Sequence, residues 1–336
     1  MTTRIAINGF GRIGREVVRT LSQQRRDLDI VAVNDLTDTR TLAHLLKYDT
    51  AYGVLDAELE HDDHSITVNG DTFQVLSEAD PAKLPWKELD VDIVIESTGR
   101  FRTAEDAGKH IEAGAKRVVL SAPGKGDTPI PTIVPGVNDD TLEGLDSPIV
   151  SAASCTTNCL APLAKVLLDN FGIEHGMMMT AHAYTADQRL QDGPHRDLRR
   201  ARAAAENIVP TTTGAALAIG AVIPELDGKL TGSAYRVPIV VGSIVDLTVV
   251  TRPGLSVEEI NAAYRDAADS GKLRGILEYV DEPIVSSDIV QNPHPSIFDA
   301  GLTTVNGSLV KVSAWYDNEW GYTQQLLSLT ERLAAK

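Results

Sequence analysis

The sequence predicts an α/β protein of two domains, a doubly wound parallel sheet followed by an α+β domain with a mixed, largely antiparallel sheet. Strand-like apolar runs alternate with helical stretches through about the first 150 residues, which is typical of a parallel sheet covered by helices. From Gly176 onward β-rich runs dominate, as in residues 177–185, 243–251 and 308–316. With 336 residues, the chain is long enough for two hydrophobic cores.

The first elements form a strand, helix, strand unit. Residues 4–8 (RIAIN) predict a buried strand, Arg15–Gln24 a helix, and Ile30–Asn34 a second strand. Two further strands and the helix between them are predicted at Ile93–Glu96, Arg117–Leu120 and Ala104–Ala113. Right-handed crossovers place the turn after the first strand at the carboxyl edge of the sheet.

The glycine turn Gly9–Gly14 (GFGRIG) matches G-x-G-x-x-G between a strand and a helix, which is the context of dinucleotide-binding Rossmann domains. Glycine lets a pyrophosphate approach the helix N-terminus. Asp35 ends the second strand, where an acidic side chain binds both ribose hydroxyls and repels a 2′-phosphate, so NAD is favoured over NADP. The alternatives are a plain tight turn, and Asp35 as the cap of a helix at Thr37–Leu46.

Charge and cysteine content exclude several classes of protein. A formal net charge of -16 disfavours binding to nucleic acid and to anionic membranes. Cys155 and Cys159 are the two cysteines, too few for a disulfide framework, so we expect a reducing, cytoplasmic setting. Neither a signal peptide nor an apolar run of about 18 residues is evident, so we expect no membrane insertion.

The second domain carries two further predicted helices, Val257–Ala268 and Tyr322–Ala334. A long polar and basic segment, Asp187–Arg202, precedes its β-rich core. Loops of this length inside compact enzymes are usually functional. We therefore expect this segment to have a functional role.

Cys155 precedes the helical run LAPLAKVLLDNF, so it lies near a helix N-terminus, where the partial positive charge favours a thiolate. His182 follows an apolar strand among hydroxyl residues and is a candidate for activating the thiol. The residues alone leave simple packing open for both. Cys159 lies one turn further into the helix, which favours a structural role.

Five motifs give the chain a resemblance to one enzyme family: NGFGRIGR, SCTTNCLAP, HAYTADQ, RRARAAAENIVPTTTGAA and WYDNEWGY. In order and spacing they are similar to the motifs of the glyceraldehyde-3-phosphate dehydrogenases, over essentially the whole chain. The resemblance implies an NAD-dependent, phosphorylating aldehyde dehydrogenase. It would convert glyceraldehyde 3-phosphate, phosphate and NAD to 1,3-bisphosphoglycerate and NADH through a cysteine thioester.

The resemblance also implies roles for single residues. Cys155 matches the catalytic nucleophile and His182 its base. Residues matching the phosphate and substrate sites are Ser154, Thr156, Thr213 and Gly214 for inorganic phosphate, Thr185 and Arg236 for the C3 phosphate, and Arg200 near both. Residues matching the NAD site are Gly9, Gly11, Arg12, Ile13, Gly14, Asp35, Thr98, Ser121, Asn318 and Tyr322.

The resemblance implies a dinucleotide-binding domain at 1–154, completed by a C-terminal helix at 318–336, and a catalytic domain at 155–317. It implies a homotetramer, with the Asp187–Arg202 segment near a subunit contact. One alternative is an erythrose-4-phosphate dehydrogenase, which hydrolyses its thioester with water. Another is an inactive, nucleic-acid-binding relative, which the intact Cys155, His182 and Arg236 and the acidic charge disfavour. The cluster at residues 61–64 (HDDH) suggests a metal site, but we favour a polar turn and expect no metal.

Overall fold

The computed structural model describes residues 2–24 and 26–336, which divide into two compact units. The first unit comprises the chain through Pro135 together with Asp139–Ala153 and Thr323–Lys336. The second comprises Gly136–Asn138 and Ser154–Tyr322.

The first unit is built on one large sheet. The strands of the unit are β1 Thr3–Asn8, β2 Leu28–Asn34, β3 Tyr48–Asp49, β4 Gly53–Val54, β5 Leu59–His61, β6 Ser65–Val68, β7 Asp71–Leu76, β8 Ile93–Glu96, β9 Arg117–Leu120 and β10 Ile149–Ser151. Of these, β3 and β4 pair with each other in a separate two-stranded sheet. Its α-helices are α1 Arg12–Gln23, α2 Thr39–Lys47 and α3 Ala104–Glu112. Short 3-10 helices occur at Pro81–Lys83 and Asp139–Leu142.

The strand order in this sheet is β10-β9-β8-β1-β2-β7-β6-β5. From β10 to β7 the strands pair in parallel, and β7, β6 and β5 pair antiparallel. Side chains of the central strands, such as Ile5, Ile7 and Ile95, are fully buried, as expected for a sheet covered on both faces. This order confirms the predicted doubly wound sheet, whose strand order reverses between β1 and β8.

The turn between β1 and α1 needs glycine at two positions. Gly9 has φ +95, and a Cβ there would lie 2.6 Å from the backbone nitrogen of Thr98. A Cβ on Gly14 would lie 2.3 Å from the Gly9 carbonyl oxygen. The helix begins at Arg12, one turn before the predicted Arg15, because the helical backbone starts inside the glycine motif itself.

Local hydrogen bonds show how two segments with open alternatives are folded. Helix α2 is capped by Asp38, whose side chain accepts from the Thr41 backbone nitrogen at 2.9 Å, so the interpretation of Asp35 as the cap was wrong. In the cluster at residues 61–64, His61 ends β5 and the other three residues form the turn to β6, where Asp62 accepts from the His64 nitrogen at 2.7 Å. Among the described residues no group of three or more His, Cys, Asp or Glu side chains is arranged to hold a metal ion.

The second unit is an α+β fold. Its strands are β11 His175–Ala183, β12 Val209–Thr211, β13 Leu230–Val237, β14 Ser243–Val250, β15 Leu277–Val280, β16 Ser296–Asp299, β17 Thr304–Asn306 and β18 Leu309–Tyr316. Its α-helices are α4 Cys155–Phe171, α5 Ala215–Val222 and α6 Val257–Asp269, with 3-10 helices at Ala204–Glu206, Pro224–Leu226, Gly271–Leu273 and Ala300–Leu302. The last helix of the chain is α7, Trp320–Ala334, whose residues from Thr323 onward belong to the first unit.

The sheet of this unit has the order β12-β13-β11-β14-β18-β16-β15, with β17 paired to β18. The pairs β11/β13 and β15/β16 are parallel and the others antiparallel, which confirms the mixed sheet. Alternate residues of β14, namely Val245, Leu247 and Val249, are fully buried, as the period of a strand with one core face requires. Leu163 and Leu167 of α4 are equally buried, so this helix contributes to the same core.

The described helices differ from membrane-spanning helices in length and apolar character. In the part of the chain that the structure describes, none combines the length and the apolar character needed to cross a membrane. The longest of the described α-helices, α4, has 17 residues. A spanning helix needs about 20 apolar residues.

Candidate functional site

Cys155 is the first residue of α4. Ser154 is the N-cap, and its hydroxyl oxygen accepts a hydrogen bond from the Thr157 backbone nitrogen at 3.0 Å. Ala153, just before the cap, has φ +59, a left-handed conformation that residues with a Cβ rarely adopt. Strained backbone of this kind is concentrated at functional sites. The sulfur therefore lies at the positive end of a capped helix.

The structure brings His182 to this cysteine. His182 lies near the end of β11, and its Nε2 is 3.3 Å from Cys155 Sγ. Its Nδ1 faces the carbonyl oxygen of Ala183 at 2.7 Å. With the ring proton on Nδ1, directed at this carbonyl oxygen, Nε2 is the acceptor for the thiol proton. The imidazole is buried, whereas Cys155 is partly exposed.

Arg236 is held beside His182 by strand register. In the parallel pair β11/β13, His182 is the direct partner of Arg236. Nη1 of Arg236 contacts His182 Nδ1 and donates to the Ala183 carbonyl oxygen at 3.1 Å. Its Nε is buried, with no hydrogen-bond partner among the described residues. A guanidinium with an unused donor suits the binding of an anion.

Burial and Arg236 set the protonation of the pair. Burial raises the pKa of the Cys155 thiol, and the positive charge of Arg236 only partly opposes this. Burial, and to a smaller extent the positive charge of Arg236, lower the pKa of His182 to about 3. The imidazole beside the sulfur is therefore neutral near pH 7. Burial works against the thiolate expected from the helix N-terminus, whereas the positive charge of Arg236 and the hydrogen bonds from Thr156 favour it.

The lowered pKa of His182 predicts that acid destabilises the fold. In the unfolded chain the pKa of this side chain is near its ordinary value of 6.5, whereas in the folded chain the imidazole stays neutral down to about pH 3. Between these values the unfolded chain binds the extra proton, so this contribution to stability is complete above about pH 6.5 and declines toward pH 3. We expect His182→Gln to flatten this part of a plot of Tm against pH, measured by calorimetry. An identical slope in both proteins would contradict the prediction.

Tyr316 also belongs to this site, although the sequence analysis did not single it out. Its hydroxyl group hydrogen-bonds to Oγ1 of Thr156 at 3.0 Å and to Oγ1 of Thr180 at 2.9 Å. The edge of its ring packs against His182, with the ring centroids 5.9 Å apart. The motif WYDNEWGY contains this tyrosine and could have identified it from the sequence. Tyr316 thus connects Thr156 to the surroundings of His182.

Cys159 has the structural surroundings predicted for it. Its sulfur is buried, 3.9 Å from Ser296 Oγ and 3.7 Å from the Ala314 carbonyl oxygen. Burial raises the pKa of its thiol far above the ordinary value. It is therefore a matched control for Cys155 on the same helix.

Thr185 and Arg200, two of the predicted phosphate ligands, meet on a carboxylate of the chain itself. The Thr185 hydroxyl group and Arg200 Nη1 both donate to Asp187. Burial alone would raise the pKa of Asp187, but these donors and Arg236 bring it below the ordinary value. Arg200 Nε also donates to Thr211 Oγ1 at 2.8 Å. Asp187 was not assigned a role from sequence, although the motif HAYTADQ contains it.

Thr213 and Gly214 lie at the N-terminus of α5. Gly214 precedes its first residue, and the Thr213 hydroxyl oxygen accepts from the Ala215 backbone nitrogen at 3.1 Å. In the described part of the chain, neither residue hydrogen-bonds to Cys155 or His182. The structure therefore supplies a helix N-terminus at these positions, which can bind an anion, but no direct link to the cysteine.

The first unit contains a groove of about 300 Å³ at the carboxyl ends of its parallel strands. Four predicted cofactor residues line it, namely Gly9, Gly11, Asp35 and Thr98. Asp35 accepts hydrogen bonds from the backbone nitrogens of Phe10 at 2.9 Å and Thr37 at 3.0 Å, which fixes its carboxylate beside the glycine turn. Asn8, Asn34 and Glu78 also line the groove and were missed from sequence.

The other predicted cofactor residues lie outside this groove lining. Arg12 forms an ion pair with Asp49, and its guanidinium lies 5.6 Å from the centre of the Tyr52 ring. Ile13 and Gly14 are in the first turn of α1, and Ser121 directly follows β9.

Asn318 and Tyr322 belong to the second unit, and both are buried. Oδ1 of Asn318 accepts hydrogen bonds from the Gly242 nitrogen at 3.2 Å and from Ser243 Oγ at 3.0 Å. The carbonyl end of this amide is therefore fixed, and its NH2 group remains the donor available to a ligand. Ser243 was missed from sequence.

Comparisons with known proteins match both parts of the chain. Residues 3–104 match the family model described as glyceraldehyde 3-phosphate dehydrogenase, NAD binding domain, and residues 154–318 match the C-terminal domain model of the same family. The chain is 58% identical over 331 residues to glyceraldehyde-3-phosphate dehydrogenase of Streptomyces coelicolor, covering 98% of each chain. It is 58% identical over 336 residues to the enzyme of that name from Mycobacterium leprae, again covering 98% of each. It is 57% identical over 334 residues to glyceraldehyde-3-phosphate dehydrogenase of Kitasatospora aureofaciens, covering 99% of this chain and 100% of the relative.

Proposed function

The chain belongs to the glyceraldehyde-3-phosphate dehydrogenase family, and we propose that it oxidises D-glyceraldehyde 3-phosphate with NAD⁺ and inorganic phosphate to 1,3-bisphosphoglycerate and NADH. The observation that carries the proposal is the 3.3 Å separation of Cys155 Sγ and His182 Nε2 at the N-terminus of α4. A thiol within reach of a neutral imidazole is the arrangement that thioester chemistry requires.

The first unit fits NAD. Glycine at positions 9 and 14 avoids two Cβ atoms that would collide with backbone around the start of α1, and Asp35 presents a carboxylate beside the turn. The residues that would hold the cofactor are Gly9, Gly11, Arg12, Ile13, Gly14, Asp35, Thr98, Ser121, Asn318 and Tyr322. When bound, NAD⁺ supplies the acceptor for the hydride that leaves the substrate.

Cys155 and His182 perform the covalent steps. As the sulfur bonds to the aldehyde carbon, the thiol proton passes to Nε2 of His182, and the new oxyanion is stabilised by the Cys155 backbone N-H and the protonated ring. The oxyanion takes up that proton and becomes the hemithioacetal hydroxyl group. Nε2, now neutral, accepts the hydroxyl proton as the hydride leaves and a thioester forms. Phosphate then attacks the thioester carbon, and the released sulfur recovers a proton from His182.

Two sets of donors are proposed for the two phosphate groups. Arg236 and Thr185, with Arg200 nearby, hold the C3 phosphate of the substrate, a role supported by the unused buried Nε of Arg236. Ser154, Thr156, Thr213 and Gly214 bind inorganic phosphate, supported by their places at the N-termini of α4 and α5. Asp187 holds Thr185 and Arg200 together while no anion is bound.

We further propose a catalytic domain at 155–317 and a dinucleotide-binding domain at 1–154 that is completed by 318–336. We propose a homotetramer that works in the cytoplasm and does not bind nucleic acid or membranes. Leu190, Leu198 and Ile208, in or just after the polar segment, are 85%, 81% and 66% exposed, which supports a subunit contact there. The net charge of -16 supports the absence of nucleic-acid partners.

Phosphate dependence tests the proposed reaction. We expect glyceraldehyde 3-phosphate to give sustained NADH formation, followed by absorbance, only when inorganic phosphate is present, because the thioester needs an acceptor. NADP should be a poor substitute, since Asp35 repels its 2′-phosphate. Sustained turnover without phosphate, and faster with erythrose 4-phosphate, would favour the erythrose-4-phosphate dehydrogenase instead.

A further inference from the structure

A buried polar network lies beneath the cofactor groove of the first unit. We define this Glu96 network as the side chains of Asn8, Asn34, Trp86, Glu96, Thr98 and His110. All except Thr98 are buried, and His110 and Trp86 have no exposed surface. Asn8, Asn34 and Thr98 line the groove, whereas Trp86, Glu96 and His110 do not. The mechanism proposed above uses neither His110 nor Trp86.

A backbone group fixes the direction of the hydrogen bonds from Asn34 through Asn8 to Glu96. The Glu78 nitrogen, which can only donate, bonds to Oδ1 of Asn34 at 2.8 Å. Nδ2 of Asn34 must then donate to Oδ1 of Asn8, at 2.7 Å. The amide of Asn8 is thereby oriented, and its Nδ2 donates to Oε2 of Glu96 at 2.6 Å.

The indole of Trp86 fixes the direction of the hydrogen bonds from Trp86 through His110 to Glu96. Nε1 of Trp86 can only donate, and it lies 2.9 Å from Nδ1 of His110. His110 must therefore accept at Nδ1 and carry its proton on Nε2. That Nε2 is 3.1 Å from Oε2 of Glu96 and donates to it. Trp86 thus selects a single tautomer of the imidazole.

Both of these series of hydrogen bonds end on Oε2 of Glu96, and Oε1 of Glu96 binds Thr98. The Thr98 backbone nitrogen donates to Oε1 of Glu96 at 2.8 Å, and the Thr98 hydroxyl group donates to the same atom. Glu96 therefore accepts from four donors and has no acceptor facing it in these contacts. Only the ionised carboxylate can make all four bonds, so each donor helps to stabilise a buried negative charge.

The position of Thr98 matters because the glycine turn is packed against it. A Cβ on Gly9 would lie 2.6 Å from the Thr98 nitrogen, so the two segments touch without spare room. The ring of Phe101, another residue of the groove lining, lies edge-on to His110 with centroids 6.4 Å apart. His110 is therefore linked to the groove through both Glu96 and Phe101.

We propose that His110, held in its Nε2-H tautomer by Trp86, is a positioning residue for dinucleotide binding. This inference rests on the proposed use of the groove for NAD. Without the His110 donor, the buried carboxylate of Glu96 keeps three of its four hydrogen bonds, and Oε2 is held by Asn8 alone. The carboxylate can then rotate away from Thr98, so the groove is no longer held in its binding geometry.

The test compares two replacements at position 110. His110→Leu removes the donor, whereas His110→Gln keeps both functions, because its amide oxygen can accept from Trp86 while its NH2 group donates to Glu96. We expect the Kd for NAD, measured by calorimetry, to rise about tenfold in His110→Leu and to stay within about threefold of wild type in His110→Gln. At saturating NAD, kcat should change little in either variant.

Val118→Ala is the matched control, since Val118 is fully buried in the same core cluster as Trp86 but makes no polar contact with the network. It should lower Tm without changing the Kd for NAD. An equal change of Kd in His110→Leu and Val118→Ala at equal loss of Tm would overturn the proposal. A wild-type protein that fails to bind NAD would instead refute the cofactor site itself.

A second measurement covers the case in which His110→Leu does not fold. Nitrogen-15 spectra of the imidazole should show the Nε2-H tautomer in wild type and a mixture in Trp86→Phe, where nothing donates to Nδ1. The Kd of Trp86→Phe for NAD should rise with the loss of the single tautomer. Wild-type His110 with its proton on Nδ1 would overturn the assignment.

Discussion

Replacing Cys155 with serine should abolish the dehydrogenase reaction, with kcat/KM falling by about 10⁴-fold or more. The serine hydroxyl group is a far weaker nucleophile than a thiol, and a neutral His182 3.3 Å away cannot compensate for that. NAD should still bind, since the groove of the first unit does not contain this residue. NADH formation with glyceraldehyde 3-phosphate and phosphate measures the loss, and titration with NAD measures the binding.

Cys159→Ser is the control for this experiment. Cys159 is on the same helix and is fully buried, so its replacement places a hydroxyl group in the core and should lower Tm while kcat changes little. The contrast separates nucleophilic chemistry from helix stability. Near-normal turnover in Cys155→Ser, or a loss of activity in Cys159→Ser as large as that in Cys155→Ser, would refute the assignment of Cys155.

His182→Asn should lower kcat by roughly two to four orders of magnitude, the range typical of general acid-base catalysis. The variant retains Cys155, whose pKa is raised by burial, but has no acceptor for its proton. Its residual activity should therefore increase with pH as the thiol ionises. A pH-rate profile of both proteins at saturating NAD and phosphate measures this difference.

His175→Asn supplies the matched control, because His175 starts the same strand β11 and is largely exposed. The same change of side chain there should leave kcat near the wild-type value. If His182→Asn retained the wild-type rate and pH profile, His182 would not be the base. If His182→Asn raised KM and left kcat unchanged, His182 would act in substrate binding instead.

Local patterns in the sequence were sufficient for much of the fold. The alternation of strands and helices predicted the doubly wound sheet, and the glycine turn was placed correctly between β1 and α1. The start of α1 was missed by three residues, because G-x-G-x-x-G spans both the turn and the first helical turn. Element boundaries depend on backbone geometry that residue types specify weakly.

The sequence was sufficient to identify many residues of the site, but not to predict how the fold brings them together. The motifs supplied Cys155 and His182, but nothing in their spacing of 27 residues brings Sγ near Nε2. Arg236 reaches His182 only through the pairing of β11 with β13. The direction of the thiol pKa could not be foreseen, because burial is a property of the folded chain. Tyr316, Asp187 and Ser243 were missed because each acts through a partner distant in sequence.

The alignment of β11 with β13 has a consequence for how much the intervening chain can vary. Residues 184–229 connect the two strands, yet the distance between imidazole and guanidinium is set by the ladder of backbone hydrogen bonds and not by the connection. Insertions or deletions within the connection are thus compatible with an intact pair, whereas a slip of one residue in either strand would turn one partner to the opposite face. Redesign of this connection can therefore leave the imidazole and guanidinium pair intact, as long as the proposed phosphate ligands Thr185, Arg200, Thr213 and Gly214 keep their places.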